Sequence, residues 1–461
     1  MRKIYYIEPI VMIATLIRWL ILSTITGAIV GTGASFFLHG LYFSTNQTVH
    51  IPLWMQMLLL PIGGILNGLI LYYGYRNASK TCKDSTIAAV HEQGGIMPYK
   101  TVWIKPLTAI ITLCSGGSAG KEGPCSHIGG SLASLFGRLL HLSPEVQKRI
   151  VACGVSAGFA SVFGTPIAGA IYGVEVLTIG RLRHDFLFPA VVAGVTSFEV
   201  SKFWGITYSY YPLKISQHFS ESLFIKIIII AILCGLVSWL FIELFEQARI
   251  IFNFVQLRFH IWKPVMPFFG GLILSLLILV LPTDYLGLSL PLMDRALSGE
   301  HVPYLGFFWK SLFVAITLGS GFYGGIVTPQ FVIGAISGNV LANVFGVNPA
   351  LGAAVGMVAV VAAASNTPIA AIFMGFELFG SLTGIYVVGA CITAYITIGH
   401  RSVYPDQLVA YPKSLWMYLK PGISLEKEKI HVSYGLLRKI KRWQHQQKHW
   451  HGHLKWPTRR E

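Results

Sequence analysis

The 461-residue chain is 54% hydrophobic and only 12% charged, with a mean hydropathy of +0.62. Soluble domains carry about 25% charged residues, so this composition describes a polytopic membrane protein with room for roughly ten or more passes of ~20 residues. Disorder, coiled coils and disulfide-rich secreted scaffolds are excluded.

Along the chain, residues 1–30 place basic residues before an apolar run, as a signal peptide would. They also contain Glu8 and Arg18 and lack a small-x-small cleavage site, so the segment reads as a retained first membrane helix. Apolar stretches follow at about 10–42, 51–73, 102–140, 150–179, 186–203, 223–244, 264–281, 307–345 and 350–398. Gly and Pro interrupt several of them, and some pieces are too short to cross a bilayer alone. Broken helices at membrane depth are tolerated where protein or a water-filled cavity satisfies the freed backbone, which suits a transporter or channel. The six cysteines show no CxxC spacing and read as small core residues, with no disulfide frame and no metal site. The last 41 residues, 421–461, hold ten Lys/Arg against three Asp/Glu out of a net charge of +16. Such a tail is expected to stay cytoplasmic and face anionic lipid rather than nucleic acid. Arg2 and Lys3 place the N-terminus on the same side.

The strongest internal signal is a repeat. Residues 111–130 align without gaps on residues 316–335, with nine of twenty positions identical at an offset of 205, and residues 165–177 match 367–379 at an offset of 202. The expected organisation is a first membrane repeat over 1–210, a second over 211–420 and the basic tail over 421–461. Paired repeats of this kind build a transport site at mid-bilayer, where the two halves meet.

Both copies of the first repeat run from a Gly/Ser-rich stretch through Gly-x-x-x-Pro, Gly120 to Pro124 and Gly325 to Pro329, into an apolar helix. Proline favours the first helical turn, so each copy feeds a helix N-terminus whose unpaired N–H groups attract an anion. Two such termini could replace a halide's hydration shell with dipoles while leaving it free to depart. Where the second copy has Ile326 and Val327, the first has Lys121 and Glu122, and an ionisable pair in an apolar region is a functional candidate. The Glu122 carboxylate could occupy the anion position and leave it on protonation. Glu175 and Glu377 hold equivalent repeat positions, which favours a scaffold role such as binding backbone N–H groups. A P-loop fails at Ser115 and Glu122. The tail histidines read as part of a solvated basic segment, and no Ser/His/Asp set or HExxH motif appears, so no catalytic residue, cofactor or enzyme activity is expected.

At these residues the chain resembles the CLC family of chloride channels and proton-coupled chloride transporters. Gly120-Lys-Glu-Gly-Pro124 is similar to the family's G(K/R)EGP motif, Gly325-Ile-Val-Thr-Pro329 to its GxFxP motif with Val327 replacing Phe, and Tyr404 to its C-terminal anion-facing tyrosine. The resemblance implies an all-α polytopic fold of two inverted-topology repeats, a homodimer, and Glu122 as the gating and proton-carrying residue. It places the anion against Gly120, Lys121, Gly123, Ile326, Val327 and Tyr404, with Thr81 at the position of the family's central hydroxyl, although the usual flanking glycines are missing there. Where proton-coupled members often carry two adjacent glutamates, this chain has Glu175 and Val176. That pattern tips the expectation toward a gated passive chloride channel, with a proton/chloride antiporter of the same fold, or another inverted-repeat anion carrier, as alternatives. The tail is too short for the CBS domain pair of many members. The expected setting is a prokaryotic inner membrane, with both termini cytoplasmic.

Overall fold

A computed structural model describes residues 2–48, 51–75, 85–213, 219–427 and 431–432; Thr81 and most of the basic tail lie outside them. The described residues are mostly helical. In the first half the helices are α1 (Arg2–Thr48), α2 (Leu53–Tyr75), α3 (Thr86–His91), α4 (Thr101–Cys114), α5 (Glu122–Leu139), α6 (Pro144–Phe163), α7 (Pro166–Glu175) and α8 (His184–Phe203). The second half holds α9 (Glu221–Arg258), α10 (Met266–Leu277), α11 (Leu290–Leu297), α12 (Gly306–Gly319), α13 (Val327–Phe345), α14 (Pro349–Ala364), α15 (Pro368–Phe379) and α16 (Gly384–Thr397).

Among the described residues five helices are long and apolar enough to cross a membrane: Ile7–Thr48, Leu53–Gly74, His184–Phe203, Glu221–Arg258 and Val327–Phe345. The other apolar helices have 10–17 residues and are too short to span ~30 Å of hydrocarbon at 1.5 Å per residue. They are the fragments into which the long apolar stretches break. The stretch at 102–140 divides into α4 and α5 at Gly116, whose φ is +96°, and the stretch at 307–345 divides into α12 and α13 at Gly321, whose φ is +107°. These two residues are 205 positions apart, and only glycine adopts such backbone angles without strain. A left-handed Gly164 ends α6, and Pro166 then opens α7.

The core is built from close backbone contact, as expected where lipid gives helices little hydrophobic reason to associate. Helices α13 and α14 approach so closely that a Cβ on Gly334 or Gly338 would strike the carbonyl of Gly356 or Gly352. The same contact joins α5 and α6 at Gly129 and Gly154, positions equivalent to Gly334 and Gly356. Helix α14 is buried from Leu351 to Ala364.

Three two-residue strands tie the ends of the halves together. Thr178–Ile179 pairs in parallel with Leu408–Val409, which pairs antiparallel with Ile423–Ser424. Residues 422–427, placed with the tail by composition, therefore belong to the body: Leu425 and Glu426 donate their N–H groups to the carbonyls of Gln407 and Pro405, both at 3.0 Å.

Candidate functional site: two helix N-termini and a buried carboxylate

The two Gly-rich loops meet. Gly120 donates its N–H to the Gly325 carbonyl at 2.7 Å, and Gly325 donates back to Gly120 at 2.8 Å, an isolated antiparallel bridge between equivalent repeat positions. Other contacts are reciprocal as well. The Glu377 carboxylate accepts from the N–H groups of Ile167 and Ala168 at the start of α7, at 3.0 and 2.9 Å. The Glu175 carboxylate accepts from Ile369 and Ala370 at the start of α15, at 3.0 and 2.8 Å. Each half thus caps the equivalent helix of the other, which is the scaffold role that the symmetry of these glutamates suggests. A charged cap making two bonds at a helix N-terminus is worth about 2–4 kcal/mol. Glu175→Ala should lower unfolding stability in detergent by that amount, and Glu377→Ala by less, because Glu377 is only half-buried. Unfolding curves that coincide with wild type would contradict this assignment.

The bridge sets the N-termini of α5 and α13 side by side. Glu122, the first residue of α5, is 1% exposed. Its Oε1 accepts the backbone N–H of Val327, the first residue of α13, and its Oε2 accepts the Thr328 hydroxyl at 2.6 Å. The carboxylate therefore sits on the partial positive charge of the opposite half's helix, a position that suits a negative ion. No side chain fits on either paired glycine: a Cβ at Gly120 or Gly325 would collide with the Glu122 carboxylate.

Beside this point lies a cavity of about 190 Å³, lined among others by Ser85, Gly123, His127, Tyr323, Ile326 and Tyr404. The Tyr404 hydroxyl lies 3.2 Å from that of Tyr172, a buried residue of α7. The structure thus gathers Gly120, Glu122, Gly123, Ile326, Val327 and Tyr404 around one region. Lys121 turns elsewhere: its Nζ donates to the Tyr42 hydroxyl on α1 at 2.7 Å and lies 5.2 Å from that ring. It makes no ion pair with Glu122 among the described residues. Successive residues at a helix start point about 100° apart, so the two charges diverge.

Two buried lysines escaped attention in the sequence. Lys310 on α12 is fully buried and donates to the Ser118 and Ser289 hydroxyl oxygens at 2.7 and 2.8 Å and to the Gly287 carbonyl at 2.9 Å. Its repeat equivalent, Lys105 on α4, is 2% exposed, with Nζ 3.0 Å from His127 Nε2 and 4.9 Å from the Tyr323 ring centroid. Lys105 therefore stands behind two cavity-lining residues, His127 and Tyr323. Extending the gapless alignment six residues upstream, from 111 to 105 and from 316 to 310, reveals the pair.

The family model for voltage gated chloride channels, Voltage_CLC, matches residues 63–399. The chain belongs to the CLC family. It is 33% identical over 413 residues to a protein of Pseudomonas syringae pv. tomato described as a chloride/fluoride channel protein, covering 88% of this chain and 90% of that one. Its fold matches the crystal structure of a CLC-type fluoride/proton antiporter with a TM-score of 0.79 and 30% identity, over 86% of this chain and 98% of the other. A slow cyanobacterial Cl⁻/H⁺ antiporter, at 20% identity and a TM-score of 0.70, shares the fold over 83% of this chain and 94% of its own. The protein is an integral membrane protein of the CLC anion-transport family, of all-α polytopic fold, with bacterial relatives. CLC members are transporters or channels, not enzymes.

Proposed function

We propose that this chain exchanges halide ions, fluoride among them, for protons across a prokaryotic plasma membrane. The observation that carries this reading is the Glu122 carboxylate seated on the N-terminus of α13. An ionised carboxylate and a halide compete for the same N–H groups, which bind the charged acceptor far better than the neutral acid. Protonation of Glu122 frees that position for an anion, and the anion's departure invites the carboxylate back, so proton and halide alternate at one place. Gly120, Gly123, Ile326 and Val327 frame the anion through their backbone, and Tyr404 meets it through its hydroxyl. Lys121, bound to Tyr42, contributes only its electrostatic field.

Support for coupling comes from the 30% identical fluoride/proton antiporter, nearly all of whose length this chain matches. It outweighs the preference for a passive gated channel drawn from Val176. A channel remains the second reading, because the Pseudomonas syringae relative is described as one. We also propose two membrane repeats over 1–210 and 211–420, a homodimer with one pathway per subunit, and both termini in the cytoplasm. Purified protein in liposomes, with fluoride, chloride and proton movements recorded together, tests the function. A fixed proton-to-halide ratio is the expected result. Halide flux without proton movement would replace exchange by conduction, and no halide flux would end both readings.

A further inference from the structure

Tyr404 lies in the turn that follows α16, where a continuous chain of buried and half-buried polar groups runs back from its backbone. Its backbone N–H donates to Ser402 Oγ at 3.0 Å, and the Ser402 hydroxyl donates to Gln407 Oε1 at 2.5 Å. Gln407 is fully buried and sends Nε2 to the carbonyls of Ser365 and Val176, at 2.8 and 3.0 Å. Gln407 Oε1 also faces Asn366 Nδ2 at 3.4 Å, and the same nitrogen donates to the Arg401 carbonyl at 2.9 Å. The chain ends on Lys413. Its Nζ donates to Asn366 Oδ1 at 2.6 Å and to the Tyr395 carbonyl at 2.7 Å, and it lies 3.5 Å from the Tyr395 ring centroid. The Lys413 backbone is pinned too: its N–H donates to His400 Nε2 at 2.8 Å. Burial, aided by the Lys413 charge, lowers His400 to about 4, so this nitrogen stays a free acceptor at neutral pH.

The chain has a polarity, and Lys413 stands at its donor end. Lys413 Nζ donates to the Asn366 oxygen, while the Arg401 carbonyl, which can only accept, draws the Asn366 nitrogen to itself and toward Gln407. Gln407 Nε2 is committed to two carbonyls, which leaves its oxygen to take the Ser402 proton. With its proton directed to Gln407, Ser402 accepts the Tyr404 N–H on a lone pair and is held from both sides. Asn366 holds its place at a φ of +55°, a conformation that asparagine tolerates better than most residues. In such a low-dielectric network one missing member disorients the rest.

We propose that Lys413 is a positioning residue for anion binding, orienting the Tyr404 peptide at the cavity through Asn366, Gln407 and Ser402. This rests on the reading that Tyr404 contacts the anion, and the experiment separates the two claims. Fluoride and chloride affinities of the purified full chain are measured by calorimetry for wild type, Tyr404→Phe, Lys413→Met, Lys413→Arg and Ser402→Ala. Lys413→Met and Ser402→Ala should each weaken binding about tenfold, Lys413→Arg should recover most of it, and Lys413→Met should add nothing in a Tyr404→Phe background. Should Lys413→Met fail to fold, Ser402→Ala alone and combined with Tyr404→Phe carries the same comparison. If Tyr404→Phe weakens binding while the Lys413 and Ser402 variants keep wild-type affinity, or if their effects add to that of Tyr404→Phe, the proposal for Lys413 falls alone. If Tyr404→Phe leaves affinity unchanged, the Tyr404 reading fails and takes the proposal with it.

Discussion

Glu122→Gln is expected to uncouple the protein: halide still moves through liposome membranes, while proton movement falls to the level of protein-free vesicles. The amide keeps the size of the carboxyl but can neither carry a proton nor compete as an anion for the Val327 N–H and the Thr328 hydroxyl. The effect should be near total because Glu122 is the buried carboxylate that sits on the α13 N-terminus. The measurement is simultaneous halide and proton recording over a range of pH. A variant with wild-type coupling and unchanged pH dependence would remove Glu122 from the proton route.

The second large effect is expected at Gly325. Its Cα hydrogens face the Glu122 carboxylate, and the added methyl of Gly325→Ala would overlap that carboxylate. The backbone cannot retreat without breaking its two hydrogen bonds to Gly120, at 2.7 and 2.8 Å. The carboxylate must therefore leave the α13 N-terminus, and proton coupling should be lost as in Glu122→Gln. Overpacking of this kind costs about 1–3 kcal/mol, so thermal stability should fall as well. Shortening Glu122 to Ala in the same molecule empties the contested space. The Glu122→Ala/Gly325→Ala pair should then be more stable than Gly325→Ala alone by about 0.5–3 kcal/mol, the range of coupling between touching residues. Strictly additive stabilities would show that the two positions do not share this volume.

Much of this arrangement was legible in the residues. The repeated Gly-x-x-x-Pro located both loops, and the substitution of Lys121 and Glu122 for Ile326 and Val327 isolated the carboxylate. The equivalence of Glu175 and Glu377 announced their reciprocal caps. Periodic signals of this sort survive in sequence because each is local or is repeated. Other features had no such trace. The direction of Lys121 depends on Tyr42, 79 residues upstream, a contact that only the packing of α1 creates. Lys105 and Lys310 stand just outside the Gly-rich run, where a lone lysine in an apolar stretch resembles a membrane-edge residue until its partners are known. The Asn366–Gln407–Lys413 chain joins segments that become neighbours only when the turn after α16 folds back on the end of α14. Val176 pointed toward passive conduction, yet its carbonyl is engaged by Gln407, a contact that side-chain identity at position 176 cannot report.

The paired peptides of Gly120 and Gly325 also limit how such a protein can move. A carrier that works by rocking one half against the other must part its halves where they meet. Here that would strand two donors and two acceptors in a water-poor interior, at about 1–3 kcal/mol for each group left unpaired. The backbone at this crossing behaves as a rivet more than a hinge. In the exchange proposed above, changing which side of the bilayer reaches the halide would fall to parts that can swing while the rivet holds, and the shortest of these is a single carboxyl side chain.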